Sequence, residues 1–180
     1  PQRLRRQGVS TGLPTHATHR NPVWTWDFIF DRTYKGSTLK MLTMLDEYTR
    51  QCLAIRVERQ IRSGQVLATL WQAMMTYGIP KHIRSDNGSE FIAQKIPEWL
   101  KESQIKTLSI DPGSPWQNGY IESFHSRFRD ECLNREWLLN LREARVVIED
   151  WRQYYNSERP HSRLGYLSPE GFIANQNVSL

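Results

Sequence analysis

Cysteine and long apolar runs are both scarce in this 180-residue sequence. Cys52 and Cys132 are the only cysteines, and their spacing fits neither a metal motif nor a disulfide framework. Two reduced, structural thiols in a cytoplasmic protein are therefore expected. No apolar run approaches the roughly 18 residues that span a bilayer, and nothing at the start resembles a secretory leader. No membrane partner is expected. Residues 1–22 lack acidic side chains altogether but carry Arg3, Arg5, Arg6 and Arg20. The other 20 Lys and Arg nearly balance all 19 Asp and Glu, within a formal net charge of +5. A basic arm on a near-neutral body suits contact with a phosphate backbone, with Arg3, Arg5 and Arg6 as its candidates. The first residue is Pro1 rather than Met, so a piece of a longer protein is expected.

What is plentiful is aromatic: seven Trp, seven Tyr and six Phe argue for a packed globule rather than a disordered chain. The length fits one domain, read here as a basic arm or linker over 1–22, a core over 23–175 and a tail over 176–180. Alternation from Val23 to Asp31 predicts a strand. Trp24, Trp26, Phe28 and Phe30 form its core face, and Thr25, Asp27, Ile29 and Asp31 its polar face. Short strands over 39–45 and 52–57 complete an antiparallel meander. A helix follows, with Ser63 as N-cap and Val66, Leu67, Leu70, Trp71 and Met74 as its stripe, stopped by Gly78-Ile79-Pro80. A fourth strand ends at Asp86, a fifth covers 105–110, and helices are expected over 117–133 and 141–156. Trp71, Trp99 and Trp151 read as core. The whole is an α/β mixed five-stranded sheet flanked by helices, and right-handed crossovers put the fourth strand beside the first.

That topology brings Asp86 next to Asp27, and the helix over 117–133 can lower Glu122 onto the same edge. Each acid has a plain alternative: Asp27 as a solvated strand residue, Asp86 as a turn residue before Asn87-Gly88, Glu122 as a first-turn helix acid. Three converging acids repel unless cations neutralise them. Two divalent metals about 3.5–4 Å apart can clamp the attacking and leaving oxygens of a phosphoryl displacement.

Three segments, Trp24-Thr25-Trp26-Asp27-Phe28, Ser85-Asp86-Asn87-Gly88-Ser89-Glu90-Phe91 and Gln117-Asn118-Gly119-Tyr120-Ile121-Glu122-Ser123-Phe124, occur in that order. Together they resemble the integrase-type catalytic core of bacterial insertion-sequence transposases, relatives of the retroviral integrases. The run from Tyr155 to Pro169 is similar to the end of that transposase family. The resemblance covers roughly residues 20–175. It implies a ribonuclease H-like fold and an acidic triad of Asp27, Asp86 and Glu122. It also implies two Mg²⁺ ions (Mn²⁺ as an alternative), DNA cleavage and strand transfer, and DNA partners in the form of transposon ends and target. A homo-oligomer on DNA and a nucleoid-associated location go with it. The family's upstream helix-turn-helix region has no counterpart here.

Other candidates for DNA contact surround Glu122. Arg129 lies two turns along the same helix face, with Ser126 between them. His125 sits three residues on, and Gln117 and Asn118 occupy the loop that leads into the helix. Arg127 reads as surface. A ribonuclease H-like nuclease without strand joining, and a catalytically silent DNA-binding remnant of a mobile element, are the competing readings.

Overall fold

The computed structural model describes residues 19–86, 95–110 and 115–178. The basic arm with Arg3, Arg5 and Arg6, the turn at Asn87-Gly88 and the loop with Gly113 lie outside the described residues.

Three consecutive strands, β1 (Val23–Arg32), β2 (Thr38–Asp46) and β3 (Cys52–Glu58), pair antiparallel, as their short connections require. Helix α1 (Ser63–Tyr77) then carries the chain across to β4 (His82–Ser85), which pairs parallel with the other side of β1. Helix α2 (Lys95–Glu102) leads to β5 (Lys106–Ser109), parallel to β4. The sheet order is β3-β2-β1-β4-β5, so β1 is central. Helices α3 (Gly119–Phe128), α4 (Leu141–Ser157) and α5 (Pro169–Val178) follow.

Two cores sandwich the sheet. One buries Trp24, Trp26, Leu42 and Met44 against Val66, Leu70 and Met74 of α1 and Ile96 and Leu100 of α2. The other buries Ile29, Met41, Leu45 and Val57 against Phe124 and Phe128 of α3 and Ile148, Trp151 and Tyr155 of α4. In that second core four rings stack and tilt against one another, Phe128 over Trp151 at 4.9 Å between centroids and Phe124 edge-on to Tyr155 at 5.1 Å. Such aromatic pairs add about 0.5–1.5 kcal/mol each beyond the area they bury.

This double cover corrects the reading of β1. An alternating strand suggests one wet face, but a sheet with helices on both sides has none near its middle. Thr25 and Ile29, expected on the polar face, are buried, and Asp27 is half-buried among them. At the far end Phe30 has outrun the cover of α1 and is 55% exposed, with Lys40 over its ring.

Helix ends differ from expectation in the same local way. Ser63 is the first helical residue of α1 rather than its cap; Arg62 holds that position, and its N–H donates to Gln65 Oε1 at 2.8 Å. Trp71 is 56% exposed, because Val66, Leu70, Ala73 and Met74 set the buried face and Trp71 falls to one side of it. Gly78 does stop α1, at φ 95, where a Cβ would meet Asn21 Nδ2 at 2.9 Å. The helix expected over 117–133 is α-helical only from Gly119 to Phe128, and a π turn continues it through Arg129–Leu133. No helix among the described residues is long and apolar enough to cross a membrane. Cys52 and Cys132 are free and buried, which pushes both thiols up to about 12 and leaves them unreactive.

Candidate active site

Asp27 lies at the middle of the central strand, and the pairing of β1 with β4 brings Asp86 beside it. Val23 pairs with His82, Trp24 with Ile83 and Thr25 with Arg84. The same offset, carried two residues further, is Asp27 and Asp86, on strands that in any sheet run about 4.8 Å apart. Asp86 follows the last residue of β4 and is exposed. Glu122 arrives from α3, in its first turn, and is exposed too.

A hydrogen-bonded link sets the height of α3 over β1. Thr43 pairs with Asp27 across β1 and β2, and its hydroxyl donates to the Asp27 carbonyl at 3.0 Å. A hydroxyl has one proton, so the 2.7 Å contact from His125 must carry the proton on Nε2, donated to Thr43 Oγ1. Burial, reinforced by the Arg129 charge, pulls His125 down to about 4, so the ring is neutral at neutral pH and keeps that donor role. His125 is three residues from Glu122 on the same helix. It therefore fixes α3 at the register of Asp27.

The three carboxylates feel one another. Burial raises the Asp27 carboxyl to about 6, the Phe28 N–H donating to Oδ1 at 2.8 Å opposes that rise, and the charges of Asp86 and Glu122 add to it. Electrostatic coupling reaches further than ligation. Among the described residues, no three His, Cys, Asp or Glu side chains stand at metal-holding spacing. The donor set still suits a hard divalent cation: three carboxylates converge, and one carries a charge that its half-buried position penalises. Two of them sit at the surface on rotatable side chains.

The candidates for DNA contact divide. Ser126 is exposed on the Glu122 face. Gln117 and Asn118 end the short 3-10 turn Pro115–Asn118 that leads into α3, and Asn118 Oδ1 is buried without a partner. Arg129 is engaged within the chain: Nη2 donates to the Phe30 carbonyl at 3.0 Å and Nη1 lies 3.6 Å from Asp31 Oδ2. Like His125, it pins α3 to β1. Arg127, read as surface, instead lines a cleft on the other side of α3 with Arg50, Arg163 and Tyr120. Its place one helical step beyond Ser123 and two beyond Tyr120 was visible in the spacing. The remote partners Arg50 and Arg163 had no pattern to announce them.

The tail motif turns out to be bracing. Asn156, buried in α4, accepts from the Cys52 N–H at 2.8 Å and donates to the Cys52 carbonyl at 2.9 Å, closing the start of β3 as a strand partner would. The Arg159 Nε donates to both carboxylate oxygens of Glu131 in the π turn, at 2.8 and 2.9 Å. His161 pairs with Leu167 through its backbone.

Two family models, each described as an integrase core domain, match residues 17–115 and 103–169. An uncharacterised 39.2 kDa protein of insertion element IS476 from Xanthomonas euvesicatoria is 43% identical over 155 residues, which are 86% of this chain and 45% of that protein. An uncharacterised 31.7 kDa protein of insertion element IS407 from Burkholderia multivorans is 39% identical over 180 residues, covering 99% of this chain and 65% of its own length. This chain thus spans about half to two-thirds of those relatives. Among solved structures, the HTLV-2 integrase catalytic core domain in complex with magnesium is 20% identical with a TM-score of 0.58, covering 84% of this chain and 94% of that one. The catalytic core domain of BIV integrase is 19% identical with a TM-score of 0.63, covering 88% and 98%. The fold is accordingly ribonuclease H-like, with the mixed five-stranded sheet and flanking helices of those cores. On the match of the first family model to more than half of its length, this chain belongs to the integrase core domain family.

Proposed function

We propose that this chain is the catalytic domain of a DNA transposase, which cuts a DNA strand and joins the freed 3′ end to a target. The observation that carries the reading is the convergence of Asp27, Asp86 and Glu122 from β1, the end of β4 and α3, with Asp27 raised to about 6. Relatives named for insertion elements, one of them the transposase of insertion sequence IS904 from Lactococcus lactis at 26% identity, support the same reading.

In this reading Asp27, Asp86 and Glu122 hold two Mg²⁺ ions, with Mn²⁺ able to substitute. Bound there, divalent ions supply Lewis-acid stabilisation of the attacking and leaving oxygens. Asp27, half-buried between the other two acids, must give up its proton for that binding, so metal affinity weakens as pH falls below about 6. His125 and Arg129 hold α3 so that Glu122 faces Asp27. Gln117, Asn118 and Ser126 touch the substrate strand, and the basic residues Arg3, Arg5 and Arg6 add backbone contacts. Assembly as a homo-oligomer on DNA, with transposon ends and target as partners, follows the family pattern.

Metal-dependent nicking of supercoiled plasmid tests the assignment. Asp27→Asn, Asp86→Asn and Glu122→Gln should each abolish nicking while the variants stay folded. Asp31→Asn, which loses only a surface ion pair worth roughly 0.2–1 kcal/mol, should nick normally. Near-normal nicking by any one triad variant removes that residue from the site.

A further inference from the structure

Around α3 from Glu122, the helix faces a cleft of about 420 Å³ closed on the far side by the turn His161–Arg163. Among the described residues four arginines line it, Arg50, Arg84, Arg127 and Arg163, and no carboxylate does. Two of the four are already committed. Arg84 donates from Nε to Glu47 Oε1 at 2.8 Å in a buried ion pair. Arg50 lays its guanidinium on the Tyr120 ring at 3.9 Å, yet its Nη1 is buried without a hydrogen-bond partner. Arg127 and Arg163 form no ion pair or hydrogen bond among the described residues. The wall holds one more unsatisfied group: His161 is 4% exposed, and its Nε2 is buried with no partner.

Buried polar atoms in folded proteins are nearly always paired, and the carboxylates that feel these arginines, Glu47 and Glu131, are already held by Arg84 and Arg159. A cleft with two unpaired arginines and an unpartnered Arg50 Nη1 is therefore suited to an anion. Its position says which one. Ser123 on its wall follows Glu122, and Arg84 stands two residues before Asp86, so the elements that carry the acids also carry this wall. We propose that the cleft binds a backbone phosphodiester of the substrate strand next to the reacting one, with Arg127 and Arg163 as its ligands and the Arg50–Tyr120 stack as its floor. The inference rests on the transposase reading for the identity of the strand. It assigns Arg127 a substrate contact in place of a solvated surface role, and makes the His161–Arg163 turn part of the binding surface.

The test is binding of a labelled duplex of arbitrary sequence in EDTA, so that catalysis plays no part, with the affinity followed across salt concentration. Each phosphate contact contributes about 0.9 to the slope of log affinity against log salt. The Arg127→Gln/Arg163→Gln double variant should bind roughly tenfold or more weakly, and its slope should be shallower by about 1.8. An Arg59→Gln/Arg142→Gln double variant removes the same charge from exposed positions at the end of β3 and the start of α4, and should leave the slope unchanged. Thermal unfolding monitors the fold. If the cleft double variant does not fold, Arg163→Gln alone, in an exposed turn, should still flatten the slope by about 0.9. Equal slopes for the cleft and control variants overturn the inference and leave the transposase reading standing. A wild-type chain with no salt-dependent DNA binding overturns the transposase reading and the cleft with it.

Discussion

Replacing Asp27 by Asn should make the metal-free domain more stable, and only at neutral or alkaline pH. The folded-state carboxyl titrates at about 6 against an ordinary 3.8, chiefly because burial penalises its charge, with Asp86 and Glu122 adding repulsion. Between those two values the native state holds the proton more tightly than the unfolded chain does. Stability therefore falls as pH rises through this window, and the penalty is complete above about pH 6. About two pKa units at 1.36 kcal/mol each set a ceiling of roughly 3 kcal/mol. Half-burial and solvent screening reduce this to about 1–2 kcal/mol. Asn keeps an oxygen to accept from the Phe28 N–H, so the 2.8 Å bond survives and only the charge is lost. For a chain of this length the gain corresponds to roughly 2–8 °C in Tm. Thermal unfolding in EDTA at pH 7.5 and at pH 4 reads it: Asp27→Asn should melt higher than wild type at pH 7.5 and level with it at pH 4. Added Mg²⁺ should raise the wild-type Tm at pH 7.5 and leave the variant unmoved. A variant that melts lower at pH 7.5, or shows the same difference at both pH values, would refute the electrostatic argument.

His125→Ala removes the donor to Thr43 and should cost about 1–2 kcal/mol, read as a lower urea midpoint at unchanged slope. Because burial holds His125 at about 4 against an ordinary 6.5, wild-type stability should drop as pH falls from 6.5 to 4, and His125→Ala should flatten that drop. A variant with wild-type pH dependence would show that His125 does not titrate this way. Asn156→Ala strands the Cys52 N–H, while the Cys52 carbonyl keeps its donor from Arg152 Nη1, and should cost about 1–3 kcal/mol, with Asn156→Asp no better because a buried carboxylate cannot donate to that carbonyl. Recovery of full stability by Asp would show that only the accepting half of that pair matters.

The strand order was legible because short connections force antiparallel pairing and a helical crossover forces parallel pairing, which left β4 one place to go, beside β1. The nearness of two acids was legible through the same logic, since β1 and β4 as neighbours bring Asp27 and Asp86 together. Burial was less so. Alternation in β1 could not reveal that α3 and α4 cover the face of Thr25 and Ile29, because that cover comes from a segment almost a hundred residues later. The roles of individual arginines were hidden for a similar reason. Arg129 and Arg127 are two positions apart on one helix, but Asp31 of β1 receives the first while Arg50 and Arg163 share a cleft with the second. Spacing along a helix gives the face; only the fold says what that face meets. The same holds for Asn156, whose partner Cys52 lies 104 positions away.

Strand joining tests the central claim most directly. A purified chain would be incubated with Mg²⁺, a labelled oligonucleotide bearing a free 3′-hydroxyl, and supercoiled plasmid. The account predicts labelled plasmid that depends on Mg²⁺ and disappears with Glu122→Gln. Plasmid nicked by the wild type, dependent on the same three acids but never carrying label, would contradict it and leave a nuclease in the place of a transposase.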